Sequence, residues 1–282
     1  MTSLERFITE INRLPPMREV IHQLLSVVDN PDSSMDDITQ VIQYDPAITA
    51  GILKTCNSAY YSTTHPAESV KDAVNMLGTD KVVELALIYS GADTLSGRQE
   101  GYGLEEGQMW KYAISSAVVA KEIAVRLGLK SKNTLFTCAL LKDIGKLVLH
   151  KYVVSARKKI DWLVNEKHFS FLEAEKKVFG INHAELGAII AKMWHFSPKM
   201  IKIIHHHHLS DETMTRDKEV VVVYLADCIC MMMGINVGTD GLAYRFKEKA
   251  MESLKITAAD ISLIIADFGM NMAEVEALLK LK

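Results

Sequence analysis

The chain has 282 residues, 49% of them hydrophobic, and a formal net charge of -3. Such a length and composition supply a sizeable core, in one large domain or two closely packed ones. The charge balance and the absence of a long basic run disfavour nucleic acid as a partner, and no apolar run approaches the ~18–20 residues of a bilayer span.

The N-terminal residues carry early acidic groups and no apolar signal core, so a cytoplasmic location with no membrane partner is expected. Leucine, isoleucine and alanine recur at three- and four-residue spacing, and strand-like alternation is nearly absent, which predicts an all-α fold. Asp29-Asn30-Pro31-Asp32 reads as a turn. Ser34 followed by Asp37 is a capping-box variant at a helix start. Asp45-Pro46 is a second start, with a capping oxygen and then a proline where its missing N–H costs nothing. Ser69 with Asp72 predicts a third. Leu77-Gly78 reads as a stop, with Thr79 capping the next helix.

Gly97, Gly101, Gly103 and Gly107 crowd the polar stretch 93–108, which predicts a linker or long loop. Residues 135–149 are strongly apolar. A polar stretch at 209–218 follows the histidine run 205–208. The segment 220–233 opens with four valines, but its unbroken length predicts a buried helix. The remaining residues resume helical periodicity. The 93–108 stretch and the C-terminal helices are the expected partner-facing surfaces. The four cysteines stand in apolar, helix-like stretches without a zinc-type pair, so reduced, buried thiols are expected.

Several residues could carry chemistry. Asp143 sits in LLKDIGK, inside the apolar stretch, where a carboxylate needs a partner or a cation. Lys142 and Lys146 are four apart, so they are expected to share a face with each other rather than with Asp143. Gly145 costs about 1 kcal/mol against alanine in a helix interior, which implies a bend or a close backbone contact. Asp227 is the only charge between Val220 and Met233. His183 opens a segment in which Ala184, Gly187, Ala188 and Ala191 allow close helix approach. Successive helical residues are rotated by ~100°, so at most two of the four histidines at 205–208 converge on one site. Asp143, His183, His207, His208 and Asp227 together form the ligand set of a hard, oxygen- and imidazole-bound ion.

Over residues 11–233 the sequence resembles the HDOD family, a signalling branch of the HD superfamily. The segments that carry the likeness are Leu14-Pro15-Pro16-Met17, Tyr44-Asp45-Pro46-Ala47, Leu53 with Asn57-Ser58-Ala59-Tyr60-Tyr61, Ser69-Val70-Lys71-Asp72-Ala73-Val74 and Leu77-Gly78. The resemblance implies an N-terminal helical subdomain at 1–97 packed on an HD-like helical core at 98–235, with further helices at 236–282. It also implies a metal site built from an early-helix histidine, a His-Asp doublet and a later aspartate. Here Tyr112 stands in the place of the first histidine, and the doublet is Lys142-Asp143. Asp227 matches the terminal aspartate, and His183, His207 and His208 match the additional histidines of metal-binding relatives.

Two imidazoles are therefore replaced, one of them by an ammonium that has no lone pair. The resemblance implies a non-catalytic bacterial output module that binds signalling proteins or a nucleotide-like ligand. The alternative is a metal-dependent phosphohydrolase acting on a nucleotide or cyclic dinucleotide. No cofactor is expected; the surviving residues would hold a residual divalent ion such as iron, manganese, zinc or nickel. The Gly-Tyr-Pro signature of the cyclic-dinucleotide branch is absent, since Gly101-Tyr102-Gly103 lies upstream of the core.

Overall fold

The computed structural model describes residues 3–14, 19–30, 32–58, 60–61, 66–235, 238–239 and 247–279. Pro15, Pro16, Met17, Pro31 and Ala59, which belong to segments singled out above, lie outside the described residues. Among the described residues every named element is helical, and an isolated bridge joins Gln99 to Leu104.

The early helices begin where polar side chains satisfy otherwise free N–H groups. After α1 (Ser3–Ile11) and α2 (Glu19–Asp29), α3 (Met35–Gln43) starts on Ser34 with a reciprocal box to Asp37. α4 (Pro46–Cys56) starts on Asp45, whose carboxylate accepts from the amides of Ala47 and Ile48. At the other end of α4 the Asn57 side chain clamps a chain reversal. It donates to the Ala67 carbonyl at 2.9 Å and accepts from the Ala67 amide at 2.7 Å. α5 (Val70–Leu77) starts on Ser69, which accepts from the Asp72 amide.

The next start differs from expectation. Gly78, at φ +82°, is itself the N-cap of α6 (Thr79–Leu95), and Thr79 is already helical. Glycine reaches that backbone conformation without a Cβ penalty, so no capping side chain is used. The helix also runs on to Leu95, and the expected linker shrinks to residues 96–107. It is packed rather than loose. Tyr102 is fully buried in the short 3-10 turn Glu100–Tyr102. Gly101 lies so near His150 that a Cβ would stand 2.2 Å from its carbonyl oxygen.

The core follows as α7 (Gln108–Arg126), α8 (Lys132–Leu141), α9 (Lys146–Ser155), α10 (Arg157–Asn165), α11 (Phe171–Phe179), α12 (His183–Met193), α13 (Pro198–His206) and α14 (Lys218–Met232). α15 (Glu248–Leu254) and α16 (Ala258–Leu279) complete the order. α2 to α6 pack on one another, and α6 also packs on α7 and α8, which joins the N-terminal group to the core. α14 packs against α7, α8 and α13 and is buried on all sides from Val220 to Cys230. Neighbours on every side reward an all-round apolar helix, which overrides the β preference of its four valines. α15 rests on α14, and α16 on α7. The four cysteines are buried and form no disulfide. Among the described residues no helix is long and apolar enough to cross a membrane.

One close approach positions the site. A Cβ on Gly145 would lie 1.9 Å from the His183 carbonyl oxygen and 2.8 Å from the Gly187 nitrogen. The α8–α9 turn and the start of α12 can touch this closely because Gly145 lacks a side chain. Gly145 has an ordinary helical φ of -63°, so alanine there meets no backbone penalty and reports the contact alone. Gly145→Ala is expected to destabilise the fold by about 3 kcal/mol, measured by urea unfolding; an effect within experimental error would refute the contact.

Candidate functional site

Asp143 stands in a turn between α8, which ends at Leu141, and α9, which begins at Lys146. That corrects the expectation for the flanking lysines, because both reach Asp143: Lys146 is three residues on, a spacing that shares a helical face, and the turn lets the adjacent Lys142 reach it as well. Lys142 Nζ bonds Asp143 Oδ2 and lies 2.7 Å from Asp227 Oδ1, on α14. Lys146 Nζ lies 2.9 Å from Asp143 Oδ1. From α7 the Tyr112 hydroxyl donates to Asp227 Oδ1 at 2.6 Å. The Lys142 ammonium also stands 4.3 Å from the Tyr112 ring centroid, within cation–π range. These groups are not snorkelling at a surface: Lys142 is 1% exposed, Asp143 5% and Asp227 3%.

Burial opposes each of these charges, and their mutual contacts reverse the outcome. Burial alone would raise the Asp143 carboxyl, but the ammoniums of Lys142 and Lys146 hold it well below the ordinary range. Burial alone would lower Lys142, and Asp143 and Asp227 raise it instead. The Tyr112 hydroxyl is pushed well up, first by burial and then by Asp227, so it stays a donor. This half of the site is a closed set of charges that balance one another.

The other half is built of imidazoles. His183 is the first residue of α12, where Asn182 and Glu185 form a capping box. Its Nδ1 lies 2.7 Å from Glu175 Oε2, on α11, and its backbone N–H donates to the same oxygen. Glu175 Oε1 accepts from the Tyr102 hydroxyl at 2.5 Å. With Nδ1–H turned to Glu175, a neutral His183 presents the lone pair of Nε2 to the site. That Nε2 lies 2.8 Å from His208 Nε2 and 3.6 Å from Asp143 Oδ1. His207 follows α13, and its Nδ1 lies 2.7 Å from the Ile204 carbonyl, which can only accept. Its Nε2 is therefore also a lone pair, 3.8 Å from Asp143 Oδ1 and without a hydrogen-bond partner.

Burial lowers the His207 imidazole to about 3, with Asp143 opposing. His208 is half-buried as a residue, but its enclosed ring is lowered well below the ordinary value by burial and then by His207 and His183.

Ligand atoms of Asp143, His183, His207 and His208 thus lie within 4.8 Å of one another. Asp227 is outside that group, its Oδ1 being taken by Lys142 and Tyr112. Of the histidine run, His205 and His206 stack on each other at 4.3 Å and do not join the group. Sequence reasoning does not find Glu175. Its signal is present, however: Phe171, Ala174, Glu175 and Val178 share one helical stripe, which places a carboxylate on the apolar face. Tyr102 gives no such signal beyond its flanking glycines.

Residues 14–210 match the HDOD domain. The chain belongs to the HDOD family. A crystal structure of an HDOD domain protein of unknown function from Geobacter sulfurreducens has the same fold, with TM-score 0.73 and 24% identity over 98% of this chain and 96% of that one. A Shewanella amazonensis SB2B protein named "Putative phosphohydrolase" gives 0.70 and 21% over 98% and 97%. A Marinobacter aquaeolei VT8 protein named "Putative signal transduction protein" gives 0.73 and 19% over 99% and 64%. An uncharacterized protein of Treponema pallidum (strain Nichols) is 23% identical over 199 residues, 70% of this chain and 38% of that protein. The HDOD chain thus spans well under half the length of this curated relative.

Two stability measurements probe the cluster. Lys142→Met leaves Asp143 and Asp227 buried without their shared cation, and is expected to cost about 3–5 kcal/mol by urea unfolding. Adding Asp227→Asn should recover part of that loss, and strictly additive costs would contradict the pairing.

The second measurement is a pH series. Burial holds the folded His207 imidazole at about 3, against about 6.5 for an ordinary histidine. Below 6.5 the unfolded chain takes up a proton that the fold refuses, so stability falls as pH drops and the loss ends near 3. Going from pH 6.5 to about pH 5 should cost about 2 kcal/mol through His207. Carboxylates remain ionised over most of that window. The same drop measured in His207→Gln should be smaller by about that amount, and equal drops would refute the assignment.

Proposed function

We propose that this HDOD chain is a non-catalytic output module of bacterial signal transduction, acting by binding a signalling protein or a small ligand. The observation that carries the reading is the position of Lys142 Nζ, bonded to Asp143 and 2.7 Å from Asp227. A tethered ammonium there offsets the carboxylates and offers donors but no lone pair. With Tyr112 donating to the same aspartate, neither replaced imidazole position retains a neutral nitrogen ligand. The name of the Marinobacter protein, a signal transduction protein, favours a signalling role.

A second reading has its own support. Two imidazole lone pairs and a carboxylate oxygen converge at Asp143, with His208 beside them. That donor set fits a single iron, manganese, zinc or nickel ion. Asp143, His183, His207 and His208 would hold it, and Glu175 would orient His183. Such an ion would supply Lewis-acid chemistry of the kind used on nucleotide or cyclic-dinucleotide phosphoesters. The name of the Shewanella protein, a phosphohydrolase, favours this reading. Lys146, 2.9 Å from Asp143 Oδ1, opposes it as a competing positive charge.

Elemental analysis separates the two, on full-length protein supplied with each of the four metals and then assayed on phosphomonoesters and phosphodiesters. The expected result is well under one equivalent of metal and no turnover. One equivalent of metal and turnover, both removed by Asp143→Asn and by His207→Ala, would overturn the leading reading. The double variant Tyr112→His with Lys142→His is expected to gain metal that the parent chain does not hold.

A further inference from the structure

An open surface cleft of about 720 Å³ lies on the side of α12 opposite His183 and Gly187. His183 and Gly187 face the site, whereas Glu185, Ala188, Ile189 and Lys192 line this second space. Phe179 and Ile201 extend its apolar wall from α11 and α13, and Phe7 brings in α1. Phe7 is itself anchored edge-on against Tyr152 of α9, at 4.9 Å between ring centroids. The volume falls within the ~300–1,000 Å³ range of small-molecule sites, and the mixture of apolar wall and few polar groups is typical of them.

Charge chooses among ligands. Lys176 and Glu185 neutralise each other, Lys176 Nζ lying 2.8 Å from both carboxylate oxygens. Glu185 is further occupied by the Asn182 amide. Lys192, by contrast, has no ion-pair partner among the described residues, and His205 adds an imidazole on the same wall. The lining thus carries one unmatched positive charge beside a long apolar surface. We propose that this cleft binds a single-tailed amphipathic carboxylate, of the fatty-acid class, with its tail along Phe7, Phe179, Ile189 and Ile201 and its head at Lys192. The proposal is independent of whether the histidine site holds metal.

Calorimetric titration of the full-length chain with sub-micellar laurate tests it. One saturable site is expected, with dodecanol and dodecyltrimethylammonium weaker by about fivefold or more. Lys192→Glu should weaken laurate by a similar factor. This exposed position does not depend on core packing, so the variant serves even where a packing variant fails to fold. Ile189→Trp, which fills the space, should abolish binding while circular dichroism reports an intact fold. Amide exchange in α1 should slow when laurate binds, because Phe7 is part of the wall. Absence of saturable binding, equal affinity for the cationic amphiphile, or laurate affinity unchanged by Lys192→Glu would each overturn the assignment. Tighter binding of dodecyl phosphate than of laurate would replace the carboxylate by a phosphate-headed ligand and overturn the stated class.

Discussion

Lys142 links three parts of the chain that are distant in sequence. Its ammonium touches the carboxylates of the α8–α9 turn and of α14, and it lies over the Tyr112 ring of α7. None of these groups has water to fall back on. Each needs the others in place before burial becomes tolerable, so α7, α14 and the turn settle together or not at all. Replacing the set by apolar residues of similar volume could leave the stability unchanged; removing one member could not. The cluster therefore defines one arrangement of the core more than it strengthens it.

The histidine half depends on that arrangement through a backbone contact. Gly145 lies against the His183 carbonyl, and Gly187 against Ile204 and the Lys142 carbonyl. The same four-residue stretch, Lys142 to Gly145, that holds the buried ammonium thus sets the height of α12 and the direction of His183. Glu175 then fixes which imidazole nitrogen faces inward, and Tyr102 fixes Glu175. A chain of hydrogen bonds runs from a surface-derived loop to the centre of the molecule, which gives the glycine-rich segment 96–107 a reason to be packed.

Much of this is legible in the amino-acid sequence, and the exceptions have physical causes. Ser34, Asp45 and Ser69 are readable as helix starts because capping is local: donor and acceptor lie within three residues. Asp143 and Asp227 stand out because a carboxylate in an apolar run needs a partner, wherever that partner comes from. The lysine faces are misread for two reasons: Asp143 and Lys146, three apart, already share a helical face, and the chain leaves the helix at Leu141, which lets the adjacent Lys142 reach Asp143. Glu175 is overlooked because it sits among ordinary surface charges, and only its helical phase distinguishes it. Tyr102 depends on a partner 73 positions away, which no local pattern encodes.

The buried ammonium differs from a metal in one further respect. An ion drawn from solution is held by mass action, so its host strengthens or weakens with supply, chelators and competing ions. Lys142 is attached to the backbone it stabilises, and its local concentration never changes. Nor does it have a second oxidation state or a ligand-exchange rate. The Lys142 ammonium therefore balances Asp143 and Asp227 without drawing any ion from solution.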